Sequence, residues 1–154
     1  LVIRDWSSDV CSSDLTAVLR NVDFTESKIS QTKFINADFY SAKFYKTLAS
    51  GNEFWNADFS QANCKKSSFS EGWFQNAKLH GADFSWSNLI DAHFAGAQMT
   101  GTCFKNAKLG LVGDLDKALV DGTTDFGGAQ VNRKKYEEFL KSKNVLGFAA
   151  IQWL

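Results

Sequence analysis

The chain has 154 residues, a length that suits one domain or one short solenoid. Its 17 basic and 17 acidic side chains balance and form no long run of one sign, so charge gives no reason to expect direct binding to nucleic acid or to a membrane surface. No apolar run approaches the length that spans a bilayer. The 14 Phe and the absence of Pro favour a repetitive, close-packed structure over a loop-rich domain.

Residues 1–15, LVIRDWSSDVCSSDL, are interpreted as a non-native leader. Ser-Ser-Asp occurs at 7–9 and again at 12–14, and residues 9–15 resemble the translation of a sequencing adapter. A genuine native leader is the alternative. We therefore leave this segment out of the fold prediction, and the true N-terminus, with any signal peptide or upstream domain, stays open.

The three cysteines, Cys11, Cys64 and Cys103, have neither a metal-binding spacing nor the even count of a disulfide framework. This pattern favours a reducing compartment, and we expect a cytoplasmic protein without a cofactor. Cys64 is predicted to point inward and Cys103 outward, so that the two do not pair.

A period of five residues dominates the middle of the chain. Eleven of the 14 Phe fall in one register of nineteen positions that runs from Leu19 to Leu109, where chance would place about a fifth of them. The position two residues before each of these centres is Ala in ten cases and Ser, Thr or Gly in seven. Self-similarity at a fixed period is typical of repeat architectures.

Period five fits neither regular element. On an α-helix, successive centres would rotate by about 140° and spread around the axis. On a straight strand they would alternate between the two faces. A chain that turns a corner once per pentapeptide keeps the small residue and the large centre on the inside, and four such corners close a square coil.

A spacing of twenty residues between related pentapeptides supports four sides per coil. One predicted interior column consists of Phe34, Phe54, Phe74 and Phe94. One predicted corner column consists of Asn36, Asn56, Asn76 and Gly96. Asn and Gly tolerate positive φ, and Asn amides can stack as ladders. Coils are expected about 4.8 Å apart, the spacing of hydrogen-bonded strands.

The tripeptides Ala37-Asp38-Phe39, Ala57-Asp58-Phe59 and Ala82-Asp83-Phe84 resemble the Ala-[Asp/Asn]-[Leu/Phe] signature of the pentapeptide repeat family. The resemblance implies an all-β solenoid over residues 16–111, a right-handed quadrilateral β-helix. The family is functionally mixed, so the fold alone does not assign a function.

The five-residue register ends at Leu109. Residues 112–131 are predicted to be irregular with a partial extra coil, and residues 132–154 to form a short helix and an apolar cap. Asn132 is the expected N-cap of a helix near 133–142. A solenoid end needs a cap, and a homodimer interface through the C-terminal tail is the alternative.

One defect interrupts the interior pattern. Ala49 stands where a large centre is expected and Asn52 where a small residue is expected, with Leu48 beside them at an outward position. Variation in a degenerate repeat is the preferred interpretation. A β-bulge that turns Leu48 inward is the alternative.

The outward positions offer little chemistry. Ser60, His80 and Asp58 are predicted neighbours, but the carboxylate lies on the serine side of the imidazole, whereas a triad needs it at the far nitrogen. His80 and His93 occupy different faces, which argues against a shared metal site. We therefore predict no enzymatic activity and no small-molecule substrate.

A second face carries exposed aromatic residues, which are enriched at protein interfaces. The predicted interaction surface consists of Ile35, Trp55, Trp73 and His93. The resulting prediction is a non-catalytic scaffold that binds a protein partner. The alternative is binding to gyrase, similar to the pentapeptide proteins that protect this topoisomerase from quinolones. Mimicry of duplex DNA requires a strongly negative rod, whereas residues 17–111 carry ten basic and eight acidic side chains.

Overall fold

The computed structural model describes residues 17–154, where the chain winds into a four-sided parallel β-helix. The predicted leader at 1–15 lies outside these residues. Each side of a coil pairs with the same side of the next coil twenty residues later, as in Val18 with Asp38 and Lys33 with Glu53. Four such bridges occur per twenty residues, so the predicted four-sided β-helix is confirmed.

Left-handed backbone at every fifth residue makes the corners. All eighteen corner residues at five-residue intervals from Asn21 to Asn106 have φ between 55 and 71°. At most corners the carbonyl of the large centre accepts a hydrogen bond from the N–H three residues later, as from Ser27 N to Phe24 O at 3.0 Å. A positive φ at the third residue of such a turn defines type II. The corner therefore sets the period of five.

The core is a column of stacked rings lined by alanines. The predicted interior column is confirmed: the ring centroids of Phe34 and Phe54 lie 5.6 Å apart, those of Phe54 and Phe74 5.0 Å, and those of Phe74 and Phe94 5.4 Å. Phe54, Phe74 and Phe94 are fully buried. In the predicted corner ladder, Asn56 Nδ2 donates to Asn36 Oδ1 at 3.1 Å.

Asn52 takes a structural role that the sequence pattern did not indicate. Its buried amide accepts a hydrogen bond from Thr32 N at 2.8 Å and donates to Ala49 O at 3.2 Å. Leu48 stays exposed and keeps its bridges to the neighbouring coils, so the alternative bulge does not form. The polar side chain is tolerated because backbone groups satisfy it.

The β-helix continues beyond Leu109 with a longer spacing. The strands are β1, Lys108–Leu109, β2, Gln130–Val131, and β3, Gln152–Trp153, which pair in parallel in that order. The 3₁₀ turn Leu115–Lys117 adds one residue at a corner of its coil, and Gln98 therefore bridges to Leu119, 21 residues later. Another 3₁₀ turn spans Phe148–Ala150. Residues 112–131, predicted to be irregular with a partial extra coil, thus contain several paired coil sides.

Helix α1, Arg133–Ser142, follows β2 and occupies the part of the coil between β2 and the next bridging residue, Leu146. Asn132 Oδ1 accepts a hydrogen bond from Lys135 N at 3.0 Å, which confirms it as the N-cap. Tyr136 and Leu140 are buried, and the Tyr136 hydroxyl donates to Val112 O at 2.8 Å. Between residues 17 and 154, no helix combines the length and apolarity needed to cross a bilayer.

The stacked core predicts a large penalty for removing one ring. Phe74→Ala should lower the free energy of unfolding by about 3–5 kcal/mol, because a fully buried ring leaves a cavity between its stacked neighbours. Urea denaturation measures this loss. Lys78→Ala, at an exposed outward position, should change the stability by less than about 0.5 kcal/mol. Equal effects of the two substitutions would contradict the stacked-core description.

A comparison of two glycines at positive φ leads to a prediction about the packing of the last coil. A methyl group on Gly147, where φ is 69°, would lie 2.5 Å from both the Cα and the N of Gly127, whereas the nearest atom to one on Gly101, where φ is 68°, is 3.7 Å away. Gly147→Ala should therefore speed amide hydrogen exchange in residues 145–154 by about tenfold or more, because it adds a backbone clash to the left-handed strain. Gly101→Ala should leave this exchange nearly unchanged.

Candidate interaction surface

One side of the β-helix presents two tryptophans. Its bridging residues are Lys33, Glu53, Trp73, His93 and Gly113. We name this side the tryptophan face and define it by its outward residues: Lys33, Ile35, Glu53, Trp55, Trp73, Gln75, His93 and Ala95. All four residues of the predicted interaction surface therefore lie on one side, as their spacing indicated.

The aromatic rings contact one another along the rod. The centroids of Trp55 and Trp73 lie 6.3 Å apart with the ring planes at 67°, and Trp73 stacks on His93 at 4.6 Å and 22°. Trp55 is 39% exposed and Trp73 41% exposed. Ile35 is half-buried one coil before Trp55. The result is a pre-formed aromatic ladder that leaves two large rings in contact with solvent.

Some polar groups of the tryptophan face have an ion-pair or hydrogen-bond partner among the described residues, and others do not. Lys33 Nζ lies 3.1 Å from a Glu53 carboxylate oxygen, which neutralises both charges. Gln75 Oε1 is buried and accepts no hydrogen bond from any described residue. A Cβ placed on Gly113 would lie 2.5 Å from His93 Nδ1, so glycine makes room for the ring at the end of the ladder.

An acidic corner borders the tryptophan face and was not among the predicted site residues. Glu71 and Asp91 occupy equivalent corners of successive coils, with φ of 58° and 59°, and both are exposed. Neither forms an ion pair within residues 17–154. The twenty-residue spacing could have indicated that the two carboxylates lie side by side, because they precede Trp73 and His93 by two residues.

Trp86 is the most exposed aromatic residue in the described part of the chain and lies at a different corner. It is 63% exposed with φ of 62°. Its corner column also contains Lys46 and Lys66, so its surroundings are basic rather than aromatic. Trp86 therefore does not belong to the tryptophan face.

The residues considered for catalysis have other partners. His80 Nε2 forms a hydrogen bond with Gln98 Oε1 at 2.9 Å, and the Ser60 backbone N–H donates to Asp58 Oδ1 at 2.9 Å. His80 Nε2 is thus engaged with Gln98, and the Asp58 carboxylate with the Ser60 backbone. Within residues 17–154 no group of three or more His, Cys, Asp or Glu side chains is placed to hold a metal ion.

The two described cysteines are poor nucleophiles. Cys64 is buried and Cys103 is half-buried, and neither forms a disulfide. Burial raises the pKa of both thiols, and Asp83 raises it further. A raised pKa keeps a thiol protonated near neutral pH, which lowers its reactivity.

Charged pairs link successive coils on the side that carries Asp83. Lys65 Nζ lies 3.0 Å from Asp83 Oδ2. Burial raises the pKa of the Asp83 carboxyl, but hydrogen bonds from Ser85 and Lys65 outweigh this effect, so its pKa lies below the ordinary value of 3.8. Folding therefore favours the ionised carboxylate, which stabilises the native state above the unfolded pKa.

This lowered pKa predicts acid sensitivity. The stabilisation should be lost as the pH falls through the folded pKa, because protonation breaks the pair with Lys65. The urea concentration at the unfolding midpoint of the wild type should decrease as the pH is lowered from about 5 to about 3. Asp83→Asn, which retains an acceptor for Ser85, should show a smaller fall over the same range. Identical pH profiles for the two proteins would refute the assignment.

The comparisons with known proteins agree with this geometry. The family model described as pentapeptide repeats matches eight copies, at residues 17–51, 53–85 and 74–106. No curated protein sequence matches the chain. Among solved structures, a trypsin-treated variant of QnrB1, described as a plasmid-mediated fluoroquinolone resistance protein, is 13% identical with a TM-score of 0.55; the match covers 85% of this chain and 69% of that one.

Two further solved structures also match the chain. A pentapeptide repeat protein from the thylakoid lumen of Arabidopsis thaliana is 21% identical over 84% of this chain and 77% of its own, with a TM-score of 0.44. Rfr23 from the cyanobacterium Cyanothece 51142 is 15% identical over 71% and 87%, with a TM-score of 0.42. The family model covers more than half of the 154 residues. The chain therefore belongs to the pentapeptide repeat family.

Proposed function

We propose that this protein is a non-catalytic scaffold that binds a protein partner through the tryptophan face. The observation that carries the proposal is the contact between Trp55 and Trp73, which leaves both rings about two-fifths exposed on one side of the rod. Tryptophan is among the residues that contribute most to binding energy at protein interfaces. The rings are already held in place, so binding costs little side-chain entropy.

The surroundings of the polar residues support a non-catalytic role. His80 is engaged with Gln98, and the thiols of Cys64 and Cys103 have raised pKa values. Pentapeptide repeat proteins are generally structural or interaction proteins rather than enzymes. A repeated rod also suits binding, because its outward side chains form flat, extended surfaces.

Gyrase binding is a second candidate with weaker support. The structural likeness to QnrB1 at 13% identity concerns the fold and does not carry that protein's role to this chain. The charge pattern disfavours mimicry of DNA, since the ten basic residues of 17–111 outnumber the eight acidic ones. The tryptophan face is a better guide to the partner than the fold.

We also propose that residues 132–154 close the C-terminal end of the rod. Tyr136 and Leu140 are buried there, and the Tyr136 hydroxyl bonds to Val112 O. Leu146 and Leu154 remain 49% and 62% exposed, so the same end offers a homodimer contact as the competing role. Closing an open end hides core side chains and strand edges, which a solenoid otherwise exposes.

Site-specific crosslinking in living cells tests the proposed function. The photoreactive residue p-benzoylphenylalanine at position 55 or 73 should crosslink a single protein partner, because both positions lie in the aromatic contact. The matched control is the same replacement at position 86, another exposed tryptophan on a different part of the rod. Trp73→Ser should then weaken binding of the captured partner by about 2 kcal/mol or more.

The opposite outcome is equally specific. Crosslinks of equal yield to the same partner from positions 55 and 86 would show that the tryptophan face is not the binding surface. An affinity of the captured partner that is unchanged by Trp73→Ser would show the same.

A further inference from the structure

Charge is distributed unevenly around the rod. Residues 17–111 divide into two halves: the Lys46–Lys66 corner with the two sides that flank it, and the tryptophan face with the next side and the acidic corner. The first half carries seven basic and three acidic side chains, and the second carries three basic and five acidic ones. The tryptophan face thus lies on the negative half of a chain whose formal charges balance overall.

The negative charge is concentrated beside the exposed rings. Lys33 neutralises Glu53, whereas Glu71 and Asp91 lack an ion-pair partner among residues 17–154. Their corners are one coil apart, which is about 4.8 Å. Two exposed carboxylates at this spacing repel each other, and a guanidinium or ammonium group placed between them removes the repulsion.

The spacing along the side sets the form of the ligand. Glu71 occupies the corner that precedes Trp73 by two residues, and two residues of extended chain span about 6.6 Å. Side chains two residues apart on an extended peptide are separated by the same distance and point the same way. The rings of Trp55 and Trp73 meet edge to face at 67° and stay partly exposed, so their outer surfaces are open to one apolar side chain.

We propose that the tryptophan face binds an extended segment of the partner with the pattern apolar-x-Arg or apolar-x-Lys. The apolar side chain packs against Trp55 and Trp73, and the basic side chain pairs with Glu71 and Asp91. This proposal rests on the proposed function and specifies the chemistry of the partner. It commits to a basic partner segment because the unpaired charge next to the rings is negative.

Two peptides test the proposal on the full chain. The probe is acetyl-Ser-Leu-Ser-Arg-Ser-amide, and its control carries citrulline, a neutral isostere, in place of arginine. Titration of ¹⁵N-labelled protein should shift the indole N–H signals of Trp55 and Trp73 and leave that of Trp86 unmoved. The dissociation constant for the citrulline peptide should be about tenfold higher or more, since one charge-assisted pair is lost.

Charge reversal at the corners supplies matched variants. The double variant Glu71→Lys and Asp91→Lys should weaken binding of the arginine peptide by about tenfold or more. Its fold is expected to persist, because Lys46 and Lys66 already occupy equivalent corners with φ of 56° and 58°. The opposite double variant, Lys46→Glu and Lys66→Glu, changes the distant basic corner and should bind the peptide as the wild type does; Glu26 shows that glutamate fits this column.

Each contrary result overturns the proposal. Equal affinity for the two peptides would mean that the rings bind without the acidic corner; this would leave the proposed function standing, because position 55 could still crosslink a partner. Binding of neither peptide, or an unchanged affinity after reversal of both corner charges, also refutes it. Loss of the proposed function would instead appear as position-independent crosslinking.

Discussion

The left-handed corner at every fifth residue is the constraint on which this structure depends. At positive φ the chain turns, the turn carbonyl accepts a hydrogen bond, and the next extended side begins parallel to the side one coil earlier. Residues with a side chain adopt this conformation at an energetic cost. The cost is met by hydrogen bonds to the coils before and after, as from Asn56 N to Gln75 O at 2.9 Å. Corner and ladder therefore stabilise each other.

This constraint also explains why the outward side chains line up in columns along the rod. A side between two corners has room for one bridging residue and one further outward residue, so each outward side chain lies one coil spacing from its counterparts. Trp73 stacks on His93 for this reason, and Glu71 lies beside Asp91. Such columns place similar groups at a fixed repeat distance, which is how the side of a rod can present a specific binding surface.

Departures from the repeat are accommodated where hydrogen bonds compensate. Asn52 replaces a small interior residue, and its amide bonds to backbone groups of two coils. Beyond Leu109 an extra residue is accommodated by the 3₁₀ turn Leu115–Lys117 at a corner, which leaves the ladder unbroken. Helix α1 then occupies the position of a coil turn and buries Tyr136. The ladder thus tolerates insertions at corners better than on its paired sides.

The sequence by itself determined the coil. Large residues five apart, each with a small residue two places before it, can all be buried together only if the chain turns once per pentapeptide. It also determined that Ile35, Trp55, Trp73 and His93 share a side, since residues twenty apart must stack. Only the tertiary structure decided the ring contacts, the hydrogen bonds of Asn52 and which residues pair with one another over 119–153. Those depend on side-chain rotamers and on where inserted residues are absorbed, which a repeat pattern does not encode. The unpaired charge of Glu71 and Asp91 likewise depends on which side chains reach across neighbouring coils.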